Sequence, residues 1–181
     1  MKRRLYLDLG ANNGDTIAAE LASSRIDFCW GFEPNPQLAS KLRQRFKDDP
    51  VEIVEAAAWI VEGVRPLYLG HPLSSTLLAG KVALPDYPEF AITYEVSVDV
   101  RTVDTAGWLR DHIPDGDAIT MKMDIEGAEY EVLQRLLESG EIDRIDELRC
   151  EFHPERFPAY SRNHDQLVQA VEARTRLVQW R

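Results

Sequence analysis

This sequence predicts a doubly wound α/β fold with a mostly parallel sheet and helices on both faces, and three observations lead there. Short apolar runs alternate with helical patterns from the start of the chain. A glycine-containing turn, Asp8 to Gly14, joins the first run to the first helix, and an acid, Glu33, closes the second run. Alternation of this kind implies right-handed crossovers and parallel pairing.

The elements follow in order. Leu5 to Leu9 is an apolar run broken by Asp8 and ended by Gly10, which suits a buried parallel strand. A helical pattern runs from Asp15 through Ile17 and Leu21. Phe28 to Phe32 is a second strand, ended by Glu33-Pro34. Pro36 opens a helix that continues to about Lys47, since proline in a first turn gives up no hydrogen bond. Val51 to Ala58 reads as one third strand, and Val61 to Leu69 as a further one. Gly70 to Pro88 is long and rich in Gly, Pro and Ser, the composition of a lid or binding loop. Tyr94 to Val100 alternates like an edge strand, and Asp104 caps a helix to about His112. Ala118 to Ile125 is a strand, and Ala128 to Leu137 an amphipathic helix with a core stripe of Val132, Leu133, Leu136 and Leu137. Glu147 to Phe152, Asp165 to Ala173 and Leu177 to Trp180 read as strand, helix and final strand. The whole, residues 1–181, reads as a single domain with minimal additions at its ends.

Composition narrows the function. Apolar residues make up 44%, enough for a core, and 31 acids against 21 lysines and arginines give a net charge of −10. Such a surface repels a phosphate backbone, so a nucleic-acid partner is not expected. The basic start Met1-Lys2-Arg3-Arg4 is followed by Asp8, Asn12, Asn13 and Asp15 rather than by an apolar stretch, so neither a signal peptide nor a membrane partner is expected, and the cytoplasm is the expected compartment. The two cysteines, Cys29 and Cys150, both fall in apolar runs and read as buried thiols.

The first turn carries the clearest chemistry. Gly10 permits a sharp turn and close backbone approach, and Asn12 and Asn13 tolerate left-handed conformations. The loop feeds a helix N-terminus, which attracts anionic groups. Glu33, 19 residues after Gly14, stands where an acid accepts hydrogen bonds from ribose hydroxyls. Loop and acid together describe a nucleoside site. The middle glycine of a dinucleotide motif is replaced by Asn12, and the Asp8 carboxylate would repel a pyrophosphate while suiting a cationic amino-acid group. Charge therefore favours S-adenosylmethionine over NAD.

The sequence resembles the FkbM-type methyltransferase family, from about Leu5 to His153. The motifs are DLGANNG (Asp8 to Gly14), FEPNP (Phe32 to Pro36), AAW (Ala57 to Trp59), SSTL (Ser74 to Leu77), VDT (Val103 to Thr105), KMDIEGAEYEVL (Lys122 to Leu133) and EFH (Glu151 to His153). The resemblance implies a class I Rossmann-like fold and methyl transfer to a hydroxyl of a sugar, polyketide or other small metabolite. It implies a donor loop of Asp8, Gly10, Asn12, Asn13 and Gly14, a ribose acid at Glu33 beside Pro34, an adenine edge at Ala57 and Ala58, and polar groups for donor and acceptor at Asp124. Family members commonly carry more sequence before the first strand and a longer closing hairpin. Acceptor and oligomeric contacts often come from such additions, so a homo-oligomer or a partner chain stays open, as does a partner-dependent cofactor-binding subunit.

Acids and one histidine gather at the ends of the later strands. Alternation places Lys122 with Asp124, and Glu151 with His153, on common sides of neighbouring strands about 4.8 Å apart. An acceptor hydroxyl needs a base, for which His153 is the first candidate and Asp124 the second, with Glu151 orienting His153 or binding acceptor hydroxyls and Lys122 neutralising its neighbours. Alternatively Asp124, Glu151 and His153 hold a divalent metal, a version the sequence does not favour. Glu126 and Glu129 also read simply as acids favouring a helix start.

Overall fold

The computed structural model describes residues 2–23, 25–71, 74–86, 88 and 91–180; Met1 and three positions of the Gly70–Pro88 loop (72, 73 and 87) lie outside the described residues. The strands are β1 (Arg4–Leu9), β2 (Phe28–Phe32), β3 (Val51–Val54), β4 (Ala57–Trp59), β5 (Gly63–Tyr68), β6 (Ser97–Asp104), β7 (Ala118–Met123), β8 (Glu147–Glu151) and β9 (Arg176–Trp180). The helices are α1 (Asp15–Ala22), α2 (Pro36–Arg45), α3 (Thr105–His112), α4 (Glu129–Ser139) and α5 (His164–Glu172).

Six strands form one sheet in the order β3-β2-β1-β7-β8-β9, and every pairing in it is parallel. Alternation along β1 explains how both faces are filled. Tyr6 joins Ile17, Ala39, Leu42 and Phe46 under α1 and α2, whereas Leu5, Leu7 and Leu9 join Trp108, Leu109, Val132, Leu133 and Leu136 from α3 and α4. This is the predicted doubly wound α/β class. Trp59 and Trp108 lie in the core, as do the free thiols of Cys29 and Cys150.

The middle of the chain departs from the expectation. Val51 to Ala58 is two strands, because the chain leaves the main sheet after Val54 and enters a second, three-stranded sheet of order β4-β6-β5. The segment expected as an edge strand at Tyr94 to Val100 begins later, at Ser97, and β6 is the centre of that small sheet, parallel to β4 and antiparallel to β5. A 3₁₀ turn at Glu141–Arg144 leads into β8, an element without a sequence signal. Among the described residues no helix is long and apolar enough to cross a membrane.

The fold creates its own site. Strand order runs outward from β1 in one direction and from β7 in the other, so the carboxyl ends of β1, β2 and β7 flank the topological switch point where open α/β sheets bind ligands.

Candidate functional site

A cleft of about 700 Å³, partly open to solvent, lies at this switch point. Gly10 and Asn12 form one wall, Glu33, Pro34 and Asn35 a second, and Ala57, Ala58, Asp124 and Glu126 the far side. Seven positions expected to hold a donor thus line it: Gly10, Asn12, Glu33, Pro34, Ala57, Ala58 and Asp124.

Local backbone chemistry builds this corner. Gly10 has φ of 91°, and a Cβ there would stand 2.0 Å from the Asp124 carbonyl oxygen, so only glycine lets β1 turn against the end of β7. Asn12, at φ of 48°, takes the left-handed conformation expected of it. Its N–H donates to Glu33 Oε2 at 2.9 Å, and the Asn35 N–H donates to Glu33 Oε1 at 2.8 Å. Glu33 is therefore buried and fixed at the cleft wall. Burial raises its pKa to about 7, against the opposing pull of those two N–H groups. Each carboxylate oxygen retains acceptor capacity for a ligand hydroxyl.

Three positions of the loop do not line the cleft. Asp8 is fully buried beneath it, accepting from the Thr16 hydroxyl and paired with Lys122 at 3.2 Å, and burial pushes its carboxyl pKa upward. Expected to meet the cationic end of a donor, Asp8 instead supports the loop from beneath and does not itself line the cleft. Asn13 is exposed and donates to Asp15. Gly14 caps α1 at φ of 84°, where a Cβ would press on Leu42 and Phe46 at 2.6 to 2.7 Å.

Lys122 is likewise a structural cation. Its ammonium donates to the Gly10 carbonyl at 2.7 Å, pairs with Asp8, and stands 3.7 Å from Asp124. Burial opposes its charge, but these carboxylates outweigh burial and raise its pKa. Asp124 keeps about a third of its side chain accessible and lines the cleft.

The second corner is assembled from distant segments. His153, 6% exposed, turns Nδ1 toward Glu129 Oε1 at 3.4 Å and Nε2 toward Glu126, Glu151 and Asp124 at 3.8, 3.8 and 4.0 Å. Burial disfavours the imidazolium, but the carboxylates of Glu129, Glu126 and Asp124 prevail and raise its pKa to about 9. Those carboxylates favour the protonated ring, which works against the expected role of His153 as general base. The ring stands behind the cleft wall, as does half-buried Glu151. Glu129, read from sequence as a helix-start acid, accepts from the N–H groups of Ile125 and Gly127, each at 2.7 Å, and fixes the turn after β7. That turn carries Glu126 at φ of 54°.

Lys81 has no counterpart in the sequence reading. It is buried within the Gly70–Pro88 loop, donates to Glu126 Oε2 at 2.6 Å and to the Ser74 carbonyl at 2.8 Å, and so ties that loop to the cleft wall. The Thr76 hydroxyl adds a bond to the Glu126 carbonyl at 2.7 Å. A loop lysine reads as solvated; only the Lys81–Glu126 pairing, 45 residues apart, shows otherwise.

Fold and site together define a doubly wound α/β domain with a ligand cleft at its switch point. Residues 8–175 match the methyltransferase FkbM domain, and the chain belongs to that family. The crystal structure of a methyltransferase FkbM from Methylobacillus flagellatus KT, at 2.20 Å resolution, shares the fold with a TM-score of 0.54 and 16% sequence identity, covering 96% of this chain and 38% of that one. This chain accordingly spans well under half of that protein's length. No curated sequence matches the chain significantly.

Proposed function

We propose that this methyltransferase uses S-adenosylmethionine and transfers its methyl group to a hydroxyl of a sugar or other small metabolite. The observation that carries the reading is Glu33, a buried carboxylate set into the cleft wall by the Asn12 and Asn35 backbone N–H groups. A buried acid so held is a receptor for paired hydroxyls such as those of a ribose. Ala57 and Ala58 leave a small, apolar stretch of wall for a flat heterocycle. The donor supplies an electrophilic methyl group on sulfur; the chain's part is alignment, which substitutes for collisional entropy. Asp124, a partly exposed carboxylate lining the cleft at the end of β7, is placed to accept the hydroxyl proton as the oxygen attacks. The acidic cleft and the net charge of −10 favour a neutral, hydroxylated acceptor over nucleic acid.

Isothermal titration with S-adenosylhomocysteine tests this. One-to-one binding is expected, weakened roughly 10- to 100-fold in Glu33→Ala through lost hydrogen bonds to a charged acceptor. Equal affinity in the variant would remove Glu33 from the site, and absence of binding to folded protein would defeat the cofactor assignment.

A further inference from the structure

We propose that Asp124, Glu126 and His153 bind one divalent cation beside the cleft, with Glu129 orienting the histidine. One ligand atom from each of the three lies within 4.8 Å of the others. Metal bonds of about 2.1 Å place neighbouring donor atoms roughly 3 to 4 Å apart, so the cluster needs only small side-chain rotations to close on an ion. Glu151, 3.8 Å from His153, stands outside this group and borders it.

The histidine supplies a second and separate indication. His153 is 94% buried, yet Nδ1 makes no hydrogen bond of ordinary geometry and Nε2 faces three carboxylate oxygens at 3.8 to 4.0 Å, beyond hydrogen-bond range. A buried imidazole with its nitrogen turned to carboxylates at that spacing is placed as a ligand. Glu129, anchored by the Ile125 and Gly127 N–H groups, stands behind it as the carboxylate that usually fixes a ligating ring.

Charge favours the same occupant. Asp8, Asp124, Glu126, Glu129 and Glu151 stand against the fixed cations Lys81, Lys122 and Arg156, leaving an excess of two negative charges in the neighbourhood of the neutral imidazole that metal binding requires. Lys81 and Arg156 both address Oε2 of Glu126, which anchors that side chain without engaging Asp124. Two carboxylates and an imidazole suit manganese, iron, zinc or magnesium. Binding does not depend on the methyl-transfer reading; the ion's use does, as a Lewis acid beside an acceptor hydroxyl.

The test is Mn²⁺ titrated into chelator-stripped full chain, followed by loss of the free-ion paramagnetic resonance signal. One equivalent should bind, and Asp124→Asn and His153→Ala should each weaken it by about tenfold or more while keeping a cooperative melt. Spin-echo modulation from an imidazole nitrogen in the wild-type complex checks the ligand without any variant. Failure of folded protein to bind millimolar Mn²⁺, unchanged affinity in both variants, or a bound ion without nitrogen coupling would overturn the proposal. S-adenosylhomocysteine titrated into the same stripped sample reports the donor reading separately.

Discussion

The two corners of the cleft are built by different means. The donor corner, residues 8 to 35, is one continuous stretch in which backbone N–H groups of Asn12 and Asn35 fix Glu33. The acidic corner brings together Lys81 from the long loop, Asp124 and Glu126 after β7, Glu129 on α4 and His153 after β8, held by side-chain contacts across up to 45 positions of sequence. A corner made of backbone geometry tolerates side-chain change but not a changed backbone. A corner made of paired charges fails when one partner goes.

Gly10→Ala should produce the largest effect. The new Cβ would meet the Asp124 carbonyl at 2.0 Å, on a backbone at φ of 91°. Strain plus displacement of β7's end should cost about 3 kcal/mol or more, lowering Tm by on the order of 10 °C. Gly80→Ala is the control, since φ there is 84° but a Cβ would meet nothing within 4 Å. It should cost only about 1 kcal/mol. Equal losses in thermal melts would show that conformation alone, and not contact with β7, sets the demand for Gly10.

Lys81→Met attacks the other corner. It leaves Glu126 without its 2.6 Å partner in a site where the lysine side chain is 1% exposed. Removing one member of a buried pair costs about 3 kcal/mol, and the double variant Lys81→Met/Glu126→Gln should recover much of it. Urea melts of the two singles and the double measure this coupling. Additive losses would show that Lys81 stabilises through its contact with Ser74 and not through Glu126.

These two tests follow the line between what the sequence disclosed and what it withheld. The parallel sheet, the five helices and the donor loop were legible because strand and helix periodicities, Gly10 and Pro36 act over a few residues. Gly10, Asn12 and Glu33 reach the cleft as the motif implies. Asp8 was legible as a donor-loop acid and Lys122 as a neighbour of Asp124, but not as a buried pair under the loop, since that burial depends on α1 closing over β1 through Thr16. The split of Val51 to Ala58 between two sheets was hidden because both halves are equally apolar. Lys81 was illegible in principle: nothing near it in sequence announces Glu126.

The smallest expected effect separates the corners by pH and has two signs. Glu33 in the ligand-free protein has a pKa near 7 against about 4.5 when unfolded, so the folded state binds the extra proton between those values. Stability of the free protein should therefore fall as pH rises from about 4.5 through 7, and Glu33→Gln should flatten that slope. Binding of S-adenosylhomocysteine should change the other way. A ribose diol needs the ionised acceptor, so affinity should be full above pH 7 and decline by up to about tenfold per unit below it, again flattened in Glu33→Gln. Calorimetric titrations and thermal melts across pH 5 to 8 give both curves from one set of samples. Affinity that rises with acidity would mean that Glu33 donates from its protonated form, and the buried carboxyl would then select for an acceptor group on the ligand instead of a pair of hydroxyls.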